Sequence, residues 1–341
     1  MKKYTTKIVI LISLLTCFVS AGIVSAQQVS LSISPPIIEA TMKPGKSIMV
    51  AYNVKNSGDP VILSSRVVNF EPRDNLGNLR LKDDLTGPVR FSLDNADIKL
   101  GDSFFLNTGA TQQLLLRIRL PESVPDGDHY YSLLVETEPP THVEGKTSPR
   151  AKAAIATNIL ITITESGIVE IKPKITLFDT LSKWKIGTSG KEIKIFDSFD
   201  KIPVVLYVEN RGNNKITPNG KISLRGTLKH SADFNVIPKN ILSSSQRLLE
   251  TESTSNQSSA SASIDNDGNQ PVTLILSGFF VGKYSLSSEI NFGENSPTVY
   301  ASTSFIAIPF RIIGGLIVII FITIFLTKKF SSNDDTDDDE S

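Results

Sequence analysis

"IMVAYNVKNSGD", Ile48 to Asp59, and "IPVVLYVENRGN", Ile202 to Asn213, stand 154 residues apart and share Ile, Val, Val, Asn and Gly in register. Each runs from an apolar stretch with strand character into an Asn-x-Gly corner. Asn and Gly tolerate positive φ, the backbone conformation such a corner is expected to need. A second pair follows in the same order: "YSLLVE", Tyr131 to Glu136, matches "YSLSSE", Tyr284 to Glu289, at a spacing of 153. One match between β sequences means little, because composition alone makes them alike. Two matches in one order at nearly one offset point to a duplicated unit.

Around these repeats, the region from Gln27 to Ile308 shows almost no helical period. Short alternating runs, Ser47 to Val54, Val61 to Phe70, Gln112 to Leu120 and Tyr130 to Thr137, are separated by Gly, Pro, Asn and Asp. Pro35-Pro36, Lys43-Pro44-Gly45 and Pro125-Asp126-Gly127 mark turns between them. Strands at this spacing predict antiparallel sandwiches. The expected fold is all-β: two tandem immunoglobulin-like antiparallel β-sandwiches, residues 27–165 and 166–308, plus one C-terminal transmembrane helix. The first ends on a strand over Ala153 to Thr164, and the break is placed at Ser166, beside Gly167. Ser243 to Gln270 is Ser- and Asn-rich and poor in apolar residues, which predicts a disordered loop projecting from the second sandwich.

The two ends have a different character. Residues 1–26 carry Lys2, Lys3 and Lys7 and no acid, then an apolar run from Ile8, then Val24-Ser25-Ala26. That is the form of a secretory signal peptide cleaved before Gln27. The only cysteine, Cys17, lies inside it behind Thr16, where a lipidated cysteine would need a small residue. The mature chain is therefore expected to lack disulfides and thiolate metal sites. Residues 309–327 hold no charge except Arg311, long enough to cross a hydrocarbon layer of about 30 Å. Lys328 and Lys329 follow at once, which places the tail, 328–341, in the cytoplasm and the N-terminal region outside the cell membrane. That tail is acidic, with six acids and no base from Asp334 to Ser341.

Charge and motifs exclude several functions. Basic and acidic residues balance at 35 each, so no field draws the chain to nucleic acid. No His-Glu-x-x-His, Gly-x-Ser-x-Gly or Gly-rich phosphate loop occurs among its motifs, and His129, His142 and His230 have no second metal-type residue at helical spacing. Asp126, Asp128 and His129 share one turn and read as a solvated hairpin. Asp265, Asp267 and Asn269 alternate around Gly268 like the start of a calcium loop, with no acid downstream to close it. Trp184, the lone tryptophan, reads as a core or edge residue of a sandwich, and Asn256-Gln257-Ser258 is a sequon in form only. No enzyme, cofactor or metal site is expected, and no particular binding residue stands out.

The Ile33-to-Pro36 opening, the Lys43-to-Gly45 turn, the Val54-to-Gly58 corner and the Pro125-to-Tyr130 hairpin resemble the first domain of WxL-interacting proteins, which are bacterial surface proteins. Val208 to Leu224 and Gly282 to Gly293 are similar to their second domain. The resemblance implies two immunoglobulin-like domains, a membrane helix and a short cytoplasmic tail, with a first domain that contacts peptidoglycan and a second that contacts a partner protein. The acidic tail departs from that family's basic ending. The leading expectation is thus a non-enzymatic, membrane-anchored surface protein that binds wall polymer or another surface protein. The alternative is a membrane-tethered assembly factor that resembles pilus-type chaperones, whose sandwiches also open with a proline-flanked strand, and that holds subunits by β-strand addition.

Overall fold

The computed structural model describes residues 28–138, 152–182, 184–187, 192–227, 230–253, 263–264, 270–293 and 296–331. The segment expected to be a signal peptide, with Cys17, and His142, Asn256, the Asp265 to Asn269 cluster and the acidic run from Asp334 lie outside the described residues.

The first sandwich is built from β1 (Leu31–Ser34), β2 (Ile37–Met42), β3 (Ser47–Asn56), β4 (Val61–Pro72), β5 (Leu79–Leu81), β6 (Arg90–Leu93), β7 (Ser103–Leu106), β8 (Thr111–Arg119), β9 (Gly127–Thr137) and β10 (Ala154–Ile163). One sheet runs β1-β3-β8-β6; the other runs β2-β10-β9-β4-β5, with β7 also on β4. Period-two burial makes the core: in β3, Tyr52, Val54 and Asn56 are buried and Ala51, Asn53 and Lys55 exposed. Leu63, Leu114, Leu116, Leu133 and Ile159 face them from the other strands.

The second sandwich is built from β11 (Pro173–Thr180), β12 (Trp184–Ile186), β13 (Ile193–Asp197), β14 (Ile202–Asn210), β15 (Asn219–Gly226), β16 (Ser231–Val236), β17 (Gln246–Leu248), β18 (Thr251–Ser253), β19 (Ser263–Ile264), β20 (Pro271–Val272), β21 (Leu274–Leu276), β22 (Gly282–Asn291) and β23 (Val299–Ile308). The sheet order β12-β13-β23-β22-β15-β16-β18 packs over β11-β14-β17, with β21 also on β14. Each sandwich repeats one switch. Its first strand pairs antiparallel in one sheet, β1 on β3 and β11 on β14. The next long strand crosses to the other sheet and lies parallel to the last strand, β2 on β10 and β13 on β23. These are two copies of one immunoglobulin-like plan, followed by α1 (Phe310–Ser331), a helix long and apolar enough to cross a membrane.

The Asn-x-Gly corners occupy equivalent places, but for a different reason than positive φ. Asn56 is fully buried; its Nδ2 donates to Asp59 O at 2.7 Å and Leu106 O at 3.2 Å, and its Oδ1 accepts from Gly58 N at 2.9 Å. Asn210 is its copy, donating to Asn214 O at 2.7 Å and Ile241 O at 3.2 Å and accepting from Gly212 N at 3.0 Å. Neither glycine has a positive φ. A Cβ on Gly58 would lie 2.2 Å from Gln28 O, and one on Gly212 would lie 2.6 Å from Glu170 O. Close passage of the incoming chain is what excludes a side chain.

The stretch expected to be one loop, Ser243 to Gln270, instead begins with β17 and β18. Leu248, Leu249 and Thr251 are buried there. Averaging composition over the whole stretch hid two adjacent leucines, enough to anchor this part to the core.

A candidate strand-binding edge beside the interdomain cleft

β10 carries an edge that its own sheet leaves half unpaired. β9 pairs with β10 along its whole length, from Ala154 opposite Glu136 to Ile163 opposite Gly127. β2 joins the other side only from Asn158 onward. Asn158 N donates to Pro36 O at 3.2 Å on the β2 side, and Ala153 O accepts from Thr137 N at 2.8 Å on the β9 side. Strand alternation therefore turns the N–H and C=O of Ala154 and Ala156 toward the β2 side, where no strand among the described residues pairs with them.

The sequence keeps that edge open. Continuing the register of Asn158 on Ile37 puts Ala156 opposite Pro35, beside Pro36. Neither proline has an N–H to give to the strand. The Pro35 carbonyl is taken by Thr157 Oγ1, which donates to it at 2.8 Å. The Ser34–Pro35 bond is cis. Beneath the gap, Leu31, Ile33 and Ile155 pack against the core but stay partly exposed. A strand seated here would gain main-chain bonds and cover that apolar seam.

The edge leads into a cleft between the sandwiches with room for about 270 Å³, lined by Ile37, Phe70, Asn158, Leu160 and Leu242 among others. Phe70, Tyr130 and Leu160 from the first sandwich cluster with Leu242 from the second. The Phe70 and Tyr130 rings stack with centroids 5.6 Å apart. Arg247 lays its guanidinium against Gly77, where an added Cβ would come within 2.4 Å, and Leu248 N donates to Asn75 O at 2.7 Å.

Polar bonds fix the two sandwiches beside this cluster. Asp128 accepts from Tyr130 Oη at 3.0 Å, Asn214 Nδ2 at 2.9 Å and Lys215 N at 2.6 Å. Tyr130 Oη in turn accepts from Ser243 N at 2.9 Å. Glu39 receives Lys215 Nζ at 2.7 Å and the Asn240 amide. Burial works to raise the Glu39 carboxyl, but those two hydrogen bonds and the Lys215 charge outweigh it and hold it below its ordinary range.

Of the residues the sequence singled out, Asp126 is exposed in its hairpin, whereas Asp128 is half-buried and joins the sandwiches. The solvated-hairpin reading is therefore corrected at Asp128, two of whose partners, Asn214 and Lys215, lie more than 80 residues away in the chain. His129 beside it is half-buried, and burial pushes its imidazole below the ordinary range while Asp128 opposes the shift. His230 is exposed, its ring near Phe280 and Tyr284. Trp184 sits on the edge strand β12, 74% exposed. The structure does not bring these residues into one site. Sequence reasoning missed Ala154, Ala156 and Glu39; the one available signal was the paired proline at the strand switch.

Fold and site together define a class: a two-sandwich chain with an incompletely paired strand edge opening on an interdomain cleft. No family profile matches the chain, and no curated protein matches it. Similar solved structures include the class 5 fimbriae chaperone CfaA, at 12% identity over 82% of this chain and 100% of that one, TM-score 0.37. The E. coli chaperone DraB is similar at 14% identity, 80% and 96% coverage and a TM-score of 0.33. The Pseudomonas aeruginosa CupB2 chaperone is similar at 11% identity, 80% and 98% coverage and a TM-score of 0.30.

Proposed function

We propose that this chain is a non-enzymatic, membrane-tethered assembly factor that holds an extended segment of a partner protein by adding it as a strand to Ala154–Thr157. The helix α1 anchors it in the cell membrane, with the sandwiches outside and the tail, behind Lys328 and Lys329, in the cytoplasm. The partner segment runs along the open edge for about four residues, roughly 13 Å. Its inward side chains cover Leu31, Ile33 and Ile155, and a following apolar residue enters the cleft at Leu160. The observation that carries this reading is an edge that no strand among the described residues pairs, next to two prolines, on a strand whose other side is fully bonded.

Cross-linking in cells tests it. Because Cys17 lies in the segment expected to be removed, one introduced cysteine gives a unique thiol for a photo-cross-linker. Ala154→Cys and Ala156→Cys should trap the same partner, and Lys55→Cys, on the other sheet, should not. Adding Ala156→Pro to the Ala154→Cys chain should abolish the adduct. Equal adducts from all three positions, or an Ala154 adduct indifferent to the proline, would overturn the proposal. Retention on insoluble peptidoglycan without any protein adduct would favour instead the wall-polymer contact that the resemblance implies.

A further inference from the structure

Phe199 and Phe279 lie in two loops at the end of the second sandwich from which α1 departs. They are 48% and 52% exposed, and their rings meet with centroids 5.0 Å apart. Two neighbouring phenylalanines are thus exposed together at the end of the sandwich nearest α1. The Phe199 loop is bonded to the exit strand, Ser198 N donating to Ile308 O at 3.1 Å, and the Phe279 loop is bonded to that loop, Phe280 N donating to Ser198 O at 3.0 Å. Only Pro309 separates the end of β23 from the start of α1.

The junction is clamped. Arg311 N donates to Asp197 Oδ2 at 3.1 Å, and its Nη2 donates to Asp200 Oδ1 at 2.8 Å, either side of Phe199. The helix start is thereby fixed to the same loop that carries the exposed ring. The apolar span within α1, Phe310–Lys328, is 19 residues, about 29 Å, and matches the hydrocarbon layer without spare length. Phe199 sits in the turn directly after Ser198, whose N–H is bonded to the last residue of β23, and so lies beside the start of α1 where the headgroup layer, about 5–7 Å deep on each side, begins.

We infer that the second sandwich rests on the bilayer surface, with Phe199 and Phe279 inserted at the headgroup–acyl boundary as a foot beside the spanning helix. The inference rests on α1 spanning the membrane. It makes the second sandwich a pedestal of fixed tilt that holds the β10 edge at a set height, rather than a domain swinging on a tether.

Tryptophan depth measurements test it on the full chain in phosphatidylcholine–phosphatidylglycerol vesicles. With the sole native tryptophan removed by Trp184→Phe, single reporters are placed by Phe199→Trp, Phe279→Trp, Phe321→Trp in α1 and Phe105→Trp on the first sandwich. Lipid brominated near the headgroup should at least halve emission from positions 199 and 279 and leave position 105 unchanged. Deeply brominated lipid should quench position 321. If position 321 is quenched while 199 and 279 behave like 105, the foot is refuted and the membrane anchor stands. If position 321 is not quenched, the membrane reading fails and this inference with it.

Discussion

Asn210→Ala removes a side chain that joins three backbone segments. Its Nδ2 donates to Asn214 O at 2.7 Å, Leu242 O at 3.1 Å and Ile241 O at 3.2 Å, and its Oδ1 accepts from Gly212 N at 3.0 Å. An amide has two hydrogens, so these amount to two full donated bonds, one of them shared, and one accepted bond. Asn210 is completely buried. Each group left unpaired in the interior costs about 1–3 kcal/mol, with some of that recovered where water can enter. The expected loss is about 3–5 kcal/mol, near the upper end of single-substitution effects. For a sandwich of this size each kcal/mol moves Tm by about 2–4 °C, giving a fall of roughly 10–15 °C. Calorimetry on the full chain in detergent should show that shift in the transition of the second sandwich. Asn210→Asp should do no better at neutral pH, because it keeps the acceptor for Gly212 N but sets a carboxylate against carbonyls. A fall in Tm of less than about 3 °C for Asn210→Ala would refute the claim that this buried amide holds the corner together.

Gly58→Ala should destabilise the first sandwich by about 2–4 kcal/mol, because its Cβ would meet Gln28 O at 2.2 Å and backbone must move. Gly109→Ala, with φ +75° but open space around the Cβ, should cost only about 1–2 kcal/mol, and chemical denaturation orders the two. The Glu39 carboxyl has a folded pKa below its unfolded value of about 4.3, so the stability it adds is present above that value and lost as pH falls through the folded pKa. The protection factor at Ser243 N, which bonds across the interface, should therefore drop as pH falls below that unfolded value, and Glu39→Gln should flatten that dependence. Ala156→Pro removes an N–H that no strand among the described residues accepts, so it should change stability by under about 1 kcal/mol; a larger loss would mean the edge is already in use.

Much of this architecture was legible because strands and corners write short-range signals. The repeat of Asn56 and Gly58 in Asn210 and Gly212 located equivalent corners in both sandwiches, although their common need is passage of another chain segment and not positive φ. The site was far less legible. Asp128 reads locally as part of a solvated Pro-Asp-Gly-Asp turn, and only folding brings Asn214 and Lys215 to it. Ala154 and Ala156 carry no chemical signature at all. What matters about them is which side of β10 their amides face and where β2 begins, and both are properties of register. The prolines at 35 and 36 announced a break in a strand, but not which strand's edge the break leaves open.

Residue-resolved amide exchange along β10 addresses that edge most directly. In the free chain Ile155 and Thr157, bonded to β9, should be protected, while Ala154 and Ala156, which alternate with them, should exchange near the intrinsic rate. With the cross-linked partner segment seated, all four should be protected, with Ala154 and Ala156 slowed at least a hundredfold. Protection of Ala154 and Ala156 already in the free chain, or no change on partner capture, would contradict strand addition at this edge.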